Sequence, residues 1–192
     1  MTLKQFAAYF TAAVEGKVDD AFYYLRDWTF EHPCPDLLAD FVTPALLHSW
    51  TESLPDEMRP SLRWIYIGVK GSGSALHVDT MHSSAWNGVI QGKKLWTFYP
   101  CARKDGVLTS DPADPAAVRP EEAIICIQNP GDLVYTPSGW LHKVDNLEAG
   151  ISITENFVNA INHAAVRRYL VNENSMEHVF LLDQLSVAHL PG

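Results

Sequence analysis

Three residues with metal-binding side chains define the chemistry that this sequence suggests. His77 and Asp79 are two positions apart, and His142 follows much later. The segment 76–79 alternates apolar and polar residues, which predicts a strand on which both side chains point to one face. A second strand-like run after the turn at 137–140 contains His142. The expected cluster of two imidazoles and one carboxylate leaves three metal positions open, as in non-haem Fe(II) oxygenases, whereas a structural zinc site is closed by four protein ligands.

The open positions suit a 2-oxo acid, which chelates through two of them, and dioxygen, which takes the third. A His-x-Asp tripeptide arises by chance in many chains, and a strand histidine is more often structural than a ligand. The hypothesis therefore depends on the rest of the sequence.

A second group of residues suits an anion. Lys94, Trp96 and Phe98 share one face of a predicted strand. If that face is interior, Lys94 is an uncommon buried lysine that needs a partner, such as the distal carboxylate of 2-oxoglutarate. Thr154, on another strand, is placed to donate its hydroxyl to the same carboxylate. The alternative is that Lys94 is a solvated hairpin lysine beside Lys93, and that Thr154 is an ordinary β-branched strand residue.

From residue 63 onward the pattern is all-β. Eight short strands separated by Gly and Pro turns predict a double-stranded β-helix, the jelly-roll or cupin barrel, with flanking N- and C-terminal helices. We predict one domain over 1–192, with its barrel core at about 63–158. The predicted strands are 63–68, 76–79, 84–90, 95–99, 123–128, 132–136, 141–146 and 151–157.

The flanking segments give further expectations. A capping box formed by Thr2 and Gln5 starts an amphipathic helix that ends at Gly16. Outside that helix we predict a strand over 21–25 and mostly helical structure over 36–55 with turns near Pro44 and Pro55. We also predict a long loop over 102–121, and C-terminal helices within about 159–190, at 159–171 and 175–186. The apolar residues of the last helix either form a homodimer interface or fold back onto the barrel.

Composition limits the cellular compartment and the binding partners that we expect. The chain has 192 residues and a net charge of −9, which disfavours nucleic-acid binding and suits a partner that carries Lys or Arg. Three cysteines without a CxxC motif favour reduced thiols in the cytoplasm or nucleus. No apolar run has the length of a membrane span, and the N-terminus lacks a signal-peptide hydrophobic region.

Taken together, these motifs resemble the JmjC (Jumonji C) family, and most closely its small branch of protein hydroxylases. The resemblance extends from about residue 3 to 170. Members usually carry a further segment before the first helix of this chain, so the resemblance leaves the substrate-binding surface open. The segments that carry the resemblance are 63–64, 71–79, 84–87, 91–96, 130–142 and 151–158.

The resemblance implies a role for each matching residue. It implies Fe(II) bound by His77, Asp79 and His142, and 2-oxoglutarate bound at its distal carboxylate by Lys94 and Thr154. It also implies four positions near the cosubstrate, namely Asn87, Asn156, Ser74 and a tyrosine matched to Tyr23, beside which Tyr24 stands.

The expected activity is hydroxylation of a protein or peptide side chain, with Lys or Arg favoured, although a small-molecule substrate stays open. The loop 102–121, with Asp105, Asp111 and Asp114, is a candidate contact surface. Three alternatives remain: an N-methyl-lysine or N-methyl-arginine demethylase of the same family, a cupin metalloenzyme that does not use 2-oxoglutarate, and a non-catalytic binding module.

Overall fold

Two antiparallel sheets enclose a common cavity. The computed structural model describes residues 1–18, 23–100, 102–104, 107–109 and 118–189. The strands are β1 (Tyr24–Trp28), β2 (Arg63–Gly68), β3 (Gly73–His77), β4 (Ser84–Gln91), β5 (Lys94–Tyr99), β6 (Ala102–Lys104), β7 (Val107–Thr109), β8 (Ile124–Gln128), β9 (Leu133–Thr136), β10 (Leu141–Asn146) and β11 (Gly150–Phe157). The helices are α1 (Leu3–Val14), α2 (His163–Asn172) and α3 (Met176–Ala188).

The strand order is that of a jelly-roll barrel. One sheet has the order β1-β2-β11-β4-β9 and the other β3-β10-β5-β8, while β6 and β7 form a separate ribbon. All eight predicted barrel strands are present, within about three residues at each end. The mainly β fold with flanking helices is therefore confirmed. The strand predicted over 21–25 starts at Tyr24, and residues 21 and 22 lie outside the described residues.

The prediction of mostly helical structure over 36–55 is confirmed only in part. The segment is helical at Pro35–Asp40, Ala45–Leu47 and Trp50–Ser53, but these are short 3-10 helices and not α-helices. Proline lacks a backbone N–H and disfavours helical geometry in the residue before it, so Pro35, Pro44 and Pro55 divide the segment.

This segment covers the outer face of the five-stranded sheet. Phe30 is fully buried in a cluster with Ile65 and Trp86, against which Phe41 packs. Arg63 links this covering segment to the sheet through ion pairs. Its guanidinium lies 2.9 Å from carboxylate oxygens of Glu155 and Glu31 and 3.3 Å from one of Glu52. Burial raises the pKa of Glu155, and Arg63 opposes this effect.

The C-terminal helices fold back onto the barrel, which was one of the two alternatives for them. Val158 at the end of the barrel lies in one buried cluster with residues of α2 and α3. One face of α3 is buried through Val179, Leu182 and Leu185, and the helix still exposes Phe180. No helix among the described residues is long and apolar enough to cross a membrane.

The loop predicted over 102–121 contains the ribbon of β6 and β7 and a 3-10 turn at Pro120–Glu122, so its prediction as loop throughout was wrong. Asp105, Asp111, Asp114 and Cys101 lie outside the described residues. Cys34 and Cys126 are free thiols.

Candidate metal centre

The structure brings His77, Asp79 and His142 together. One potential ligand atom from each lies within 4.8 Å of the others, and the described residues contain no other such group. His77 and His142 are direct cross-strand partners between β3 and β10, with ring centroids 4.2 Å apart. Asp79 lies just beyond the end of β3 and starts a short turn, rather than lying within the predicted strand.

Backbone carbonyls orient both imidazoles. Nδ1 of His77 lies 2.8 Å from the Ala75 oxygen, and Nδ1 of His142 lies 3.1 Å from the Trp140 oxygen. Because a carbonyl oxygen only accepts, each Nδ1 carries the proton and each Nε2 is left free to bind a metal. Oδ2 of Asp79 is buried without a hydrogen-bond partner among the described residues. This donor set fits Fe(II).

Burial keeps His142 in the form that binds metal. His142 is 3% exposed and its ring packs beside those of Trp96 and Phe98, each with its centroid 5.8 Å away. Desolvation lowers the pKa of His142, while the nearby Asp79 carboxylate acts in the opposite direction. A neutral imidazole is the ligand that a metal requires.

The turn after Asp79 has an unusual backbone. Met81 and His82 have φ values of 54° and 53°, in the left-handed region that non-glycine residues occupy at a cost of about 1 kcal/mol or more each. Ser138 Oγ donates a hydrogen bond to the His82 carbonyl, and Met81 packs against the cluster of the C-terminal helices. The position of Asp79 therefore depends on packing outside the barrel.

Lys94 lies inside the barrel, in the same cavity as the triad. Its side chain is buried, and Nζ donates to Asn146 Oδ1 at 3.1 Å and to the Tyr24 hydroxyl at 3.4 Å. No carboxylate of the described residues forms an ion pair with it. Burial lowers the pKa of Lys94 to about 8. The cavity therefore contains a cation that has no anionic partner within the part of the chain that the structure describes.

The other predicted cosubstrate positions line the same cavity, except Tyr23. The Thr154 hydroxyl donates to the Trp86 carbonyl at 2.8 Å. Asn156 Nδ2 donates to Ser83 Oγ at 2.9 Å. Asn87 Oδ1 has no hydrogen-bond partner among the described residues, and its Nδ2 reaches Ser152 Oγ only at 3.5 Å. Ser74 contributes a hydrogen bond to Tyr24.

The structure corrects the choice of Tyr23. Its side chain is 51% exposed and packs against Tyr9, with ring centroids 5.1 Å apart. The neighbouring Tyr24 lines the cavity, and burial raises the pKa of its hydroxyl to about 12. The phase of β1 is hard to read from sequence, because its pairing with β2 is irregular between Leu25 and Trp28.

Sequence reasoning missed Asn146, Tyr66 and Thr136. Tyr66 and Thr136 line the cavity, and Asn146 contacts Lys94. The signal for Asn146 was present, because residues His142, Val144 and Asn146 alternate along β10 and therefore share its inner face.

Comparison with known proteins identifies the family. A family model described as a cupin-like domain matches residues 1–163. The chain belongs to the cupin-like domain family. Similar proteins include the 2-oxoglutarate and iron-dependent oxygenase JMJD4 of Homo sapiens, which is 30% identical over 194 residues. The resemblance to JmjC iron oxygenases of the small branch is therefore confirmed for this cupin-like domain.

Two further relatives carry other activities in their names. The lysine-specific demethylase JMJ21 of Arabidopsis thaliana is 33% identical over 187 residues, and the bifunctional arginine demethylase and lysyl-hydroxylase psr-1 of Caenorhabditis elegans is 30% identical over 170 residues. The aligned regions cover 86%, 90% and 75% of this chain, but only 19%, 46% and 42% of JMJ21, human JMJD4 and psr-1, respectively. The chain thus spans less than half the length of these relatives.

Proposed function

We propose that this cupin-like domain is a 2-oxoglutarate-dependent non-haem iron dioxygenase that hydroxylates a protein side chain, with lysine or arginine favoured. The observation that carries the proposal is Lys94, a buried cation in the cavity of the His77–Asp79–His142 cluster that pairs with no carboxylate of the described residues. A cupin metalloenzyme that does not use 2-oxoglutarate would give this lysine no role.

Each residue has a defined part. His77, Asp79 and His142 would hold Fe(II), and Lys94 with Thr154 would bind the distal carboxylate of 2-oxoglutarate. When bound, iron, 2-oxoglutarate and dioxygen together supply the oxidation of a substrate C–H bond, with release of succinate and carbon dioxide.

The chain contributes orientation and exclusion of water. Tyr24 completes the carboxylate end through its hydroxyl, while Ser74, Asn87 and Asn156 present polar atoms along the cavity. The rings of Trp96 and Phe98 cover His142, so the inner wall beside the metal ligands is apolar.

A protein substrate is supported by the names of the relatives, which include a lysyl-hydroxylase and arginine demethylases. The net charge of −9 suits a basic target. Demethylation of an N-methyl group is the second candidate, because four relatives are named as demethylases. Mass spectrometry of a treated peptide separates the two activities, since hydroxylation adds one oxygen and demethylation removes a methyl group.

The test is succinate formation from 2-oxoglutarate after anaerobic loading with Fe(II), with basic peptides present and with oxygen added at the start. We expect His77→Ala and His142→Ala to abolish succinate formation. Lys94→Ala should raise the KM for 2-oxoglutarate on the order of tenfold or more, because a charge-assisted bond is lost.

Lys93→Ala is the matched control, because that neighbouring lysine pairs with Glu148 at the surface and should keep wild-type kinetics. Turnover of 2-oxoglutarate by His77→Ala at the wild-type rate contradicts the proposal.

A further inference from the structure

Asn146 is the cavity neighbour that faces Lys94 most directly. The two residues are cross-strand partners between β10 and β5, and the side chain of each is buried. Lys94 Nζ donates to Asn146 Oδ1 at 3.1 Å, which is shorter than its 3.4 Å contact with the Tyr24 hydroxyl. The amide oxygen is therefore the principal hydrogen-bond acceptor for the ammonium group.

A hydrogen-bond chain fixes the orientation of this amide. The Ser72 hydroxyl donates to the Val69 carbonyl at 2.6 Å, so its oxygen is free to accept a hydrogen bond. Asn146 Nδ2 donates to that oxygen at 2.9 Å. With Nδ2 engaged in this way, Oδ1 is directed at Lys94. A flipped amide would place two donor groups, the ammonium and the NH2, against each other.

The backbone holds the same residues in place. Asn146 N–H donates to the Ser72 carbonyl at 2.8 Å, and Gly71 N–H donates to the Asn146 carbonyl at 2.8 Å. Gly68 leaves room for the side chains, because a Cβ at that position would lie 2.5 Å from Ser72 Oγ and 2.6 Å from Asn146 Nδ2. The amide therefore has little freedom to move away from Lys94.

The chemical type of this acceptor has a consequence for ligand binding. An amide oxygen satisfies a hydrogen bond of the ammonium group but leaves its charge uncompensated. A carboxylate at the same position would form an internal ion pair and would compete with any incoming anion. The pair Ser72–Asn146 thus keeps a buried cation both positioned and available.

We propose that Ser72 and Asn146 are positioning residues that hold Lys94 for the second carboxylate of its ligand and thereby set a preference for dicarboxylic over monocarboxylic 2-oxo acids. This inference rests on the proposed function, and it adds two residues and a selectivity to it. Neither residue is among those that line the cavity of the triad, so both act through Lys94.

The experiment measures binding of two 2-oxo acids by calorimetry to protein loaded with Mn(II), which avoids turnover. 2-Oxoglutarate has the distal carboxylate, and 2-oxobutyrate lacks it. We expect Asn146→Asp to weaken 2-oxoglutarate binding on the order of 10- to 100-fold while binding of 2-oxobutyrate stays within about threefold. Ser72→Ala should show the same selective loss at a smaller size, because the amide is then free to turn.

Asn172→Asp is the charge-matched control, because it adds the same negative charge at an exposed position near the end of α2 and should leave both affinities unchanged. Circular dichroism and Mn(II) affinity report whether each variant is folded. If Asn146→Asp loses both acids, Ser72→Ala decides: a selective loss supports the inference, and unchanged selectivity overturns it.

Failure of this inference can be told apart from failure of the proposed function. A wild-type protein that binds Mn(II) but neither acid overturns both. A wild-type protein that prefers 2-oxoglutarate, together with an Asn146→Asp variant that keeps the full preference, overturns only the positioning role.

Discussion

At the scale of single residues, Lys94 distinguishes this cavity from a site that binds only a metal ion. A lysine is rarely buried without a partner, because desolvation disfavours its charged form. Here the hydrogen-bonding neighbours of its ammonium group, Asn146 and Tyr24, are neutral. The cost of burying this charge is repaid when an anion binds, which is the pattern expected of a binding residue.

The lowered pKa of Lys94 gives a pH prediction. Only the ammonium form attracts a carboxylate, and burial lowers its pKa to about 8. The attraction is therefore fully present below that pH and is lost as the pH rises through it. We expect the dissociation constant of 2-oxoglutarate to rise between about pH 7 and 9, approaching tenfold per pH unit above pH 8.

Calorimetric titrations at a series of pH values, with Mn(II) in the site, test this prediction. Lys94→Ala protein supplies the baseline. Its affinity for 2-oxoglutarate should be weaker and should not fall as the pH rises through 8. If the wild-type affinity for 2-oxoglutarate depends on pH as little as that of the variant, the assignment of Lys94 is contradicted.

Side chains along a strand alternate between its two faces, and this alternation explains which residues of the candidate site could be predicted from the sequence. His77, Lys94 and Thr154 each stand on a strand whose alternation was readable, so their common direction was predictable. The choice between Tyr23 and Tyr24 was not readable, because β1 is short and irregularly paired. The role of Asn146 needed the register between β10 and β5, which a single strand does not reveal.

At the scale of elements, the metal centre depends on how closely β3 approaches β10. At Gly73, a Cβ atom would lie 2.1 Å from the Val144 carbonyl oxygen. That atom belongs to the backbone and has no side-chain freedom with which to move aside. The same two strands carry His77 and His142, so their spacing also sets the distance between the two imidazoles.

We therefore expect Gly73→Ala to force the two strands apart. It should lower the free energy of unfolding by about 1–3 kcal/mol, as overpacking does, and should also weaken metal binding. Gly88→Ala is the matched control within β4, because its Cβ would meet only side-chain atoms at 3.7 Å. Urea denaturation and Mn(II) titration measure both effects. If both variants have the same free energy of unfolding and the same Mn(II) affinity, the close approach of β3 to β10 determines neither property.

Elements outside the barrel were less predictable than those within it. Within the barrel, apolar–polar alternation bounded by Gly and Pro turns located the strands. Over 36–55, the predicted helical structure is present as short 3-10 helices and not as α-helices, because prolines interrupt the segment. Its side chains are fixed by packing on the sheet, which is a tertiary effect and leaves no local pattern.

At the scale of the whole molecule, the C-terminal helices connect the metal centre with the surface. Met81, two residues after Asp79, packs against the cluster that contains Val166 and Leu170 of α2 and Val179 of α3. The strained turn that follows Asp79 is therefore packed against the C-terminal helices. The sequence suggested either a dimer interface or folding back, and the described residues show that folding back leaves apolar surface on α3.

That surface leads to the last prediction, which is a homodimer formed through α3. Met176, Phe180 and Val187 are 57%, 67% and 66% exposed, although Val179, Leu182 and Leu185 of the same helix are buried. An apolar stripe of this kind along an exposed helix face suits a second copy, since association removes it from water. Size-exclusion chromatography with light scattering should give about twice the chain mass of 21.4 kDa for the wild type and a single chain for Phe180→Glu. Ile90→Glu, at an equally exposed apolar residue on β4, should stay dimeric. A monomeric wild type at micromolar concentrations would contradict the predicted homodimer.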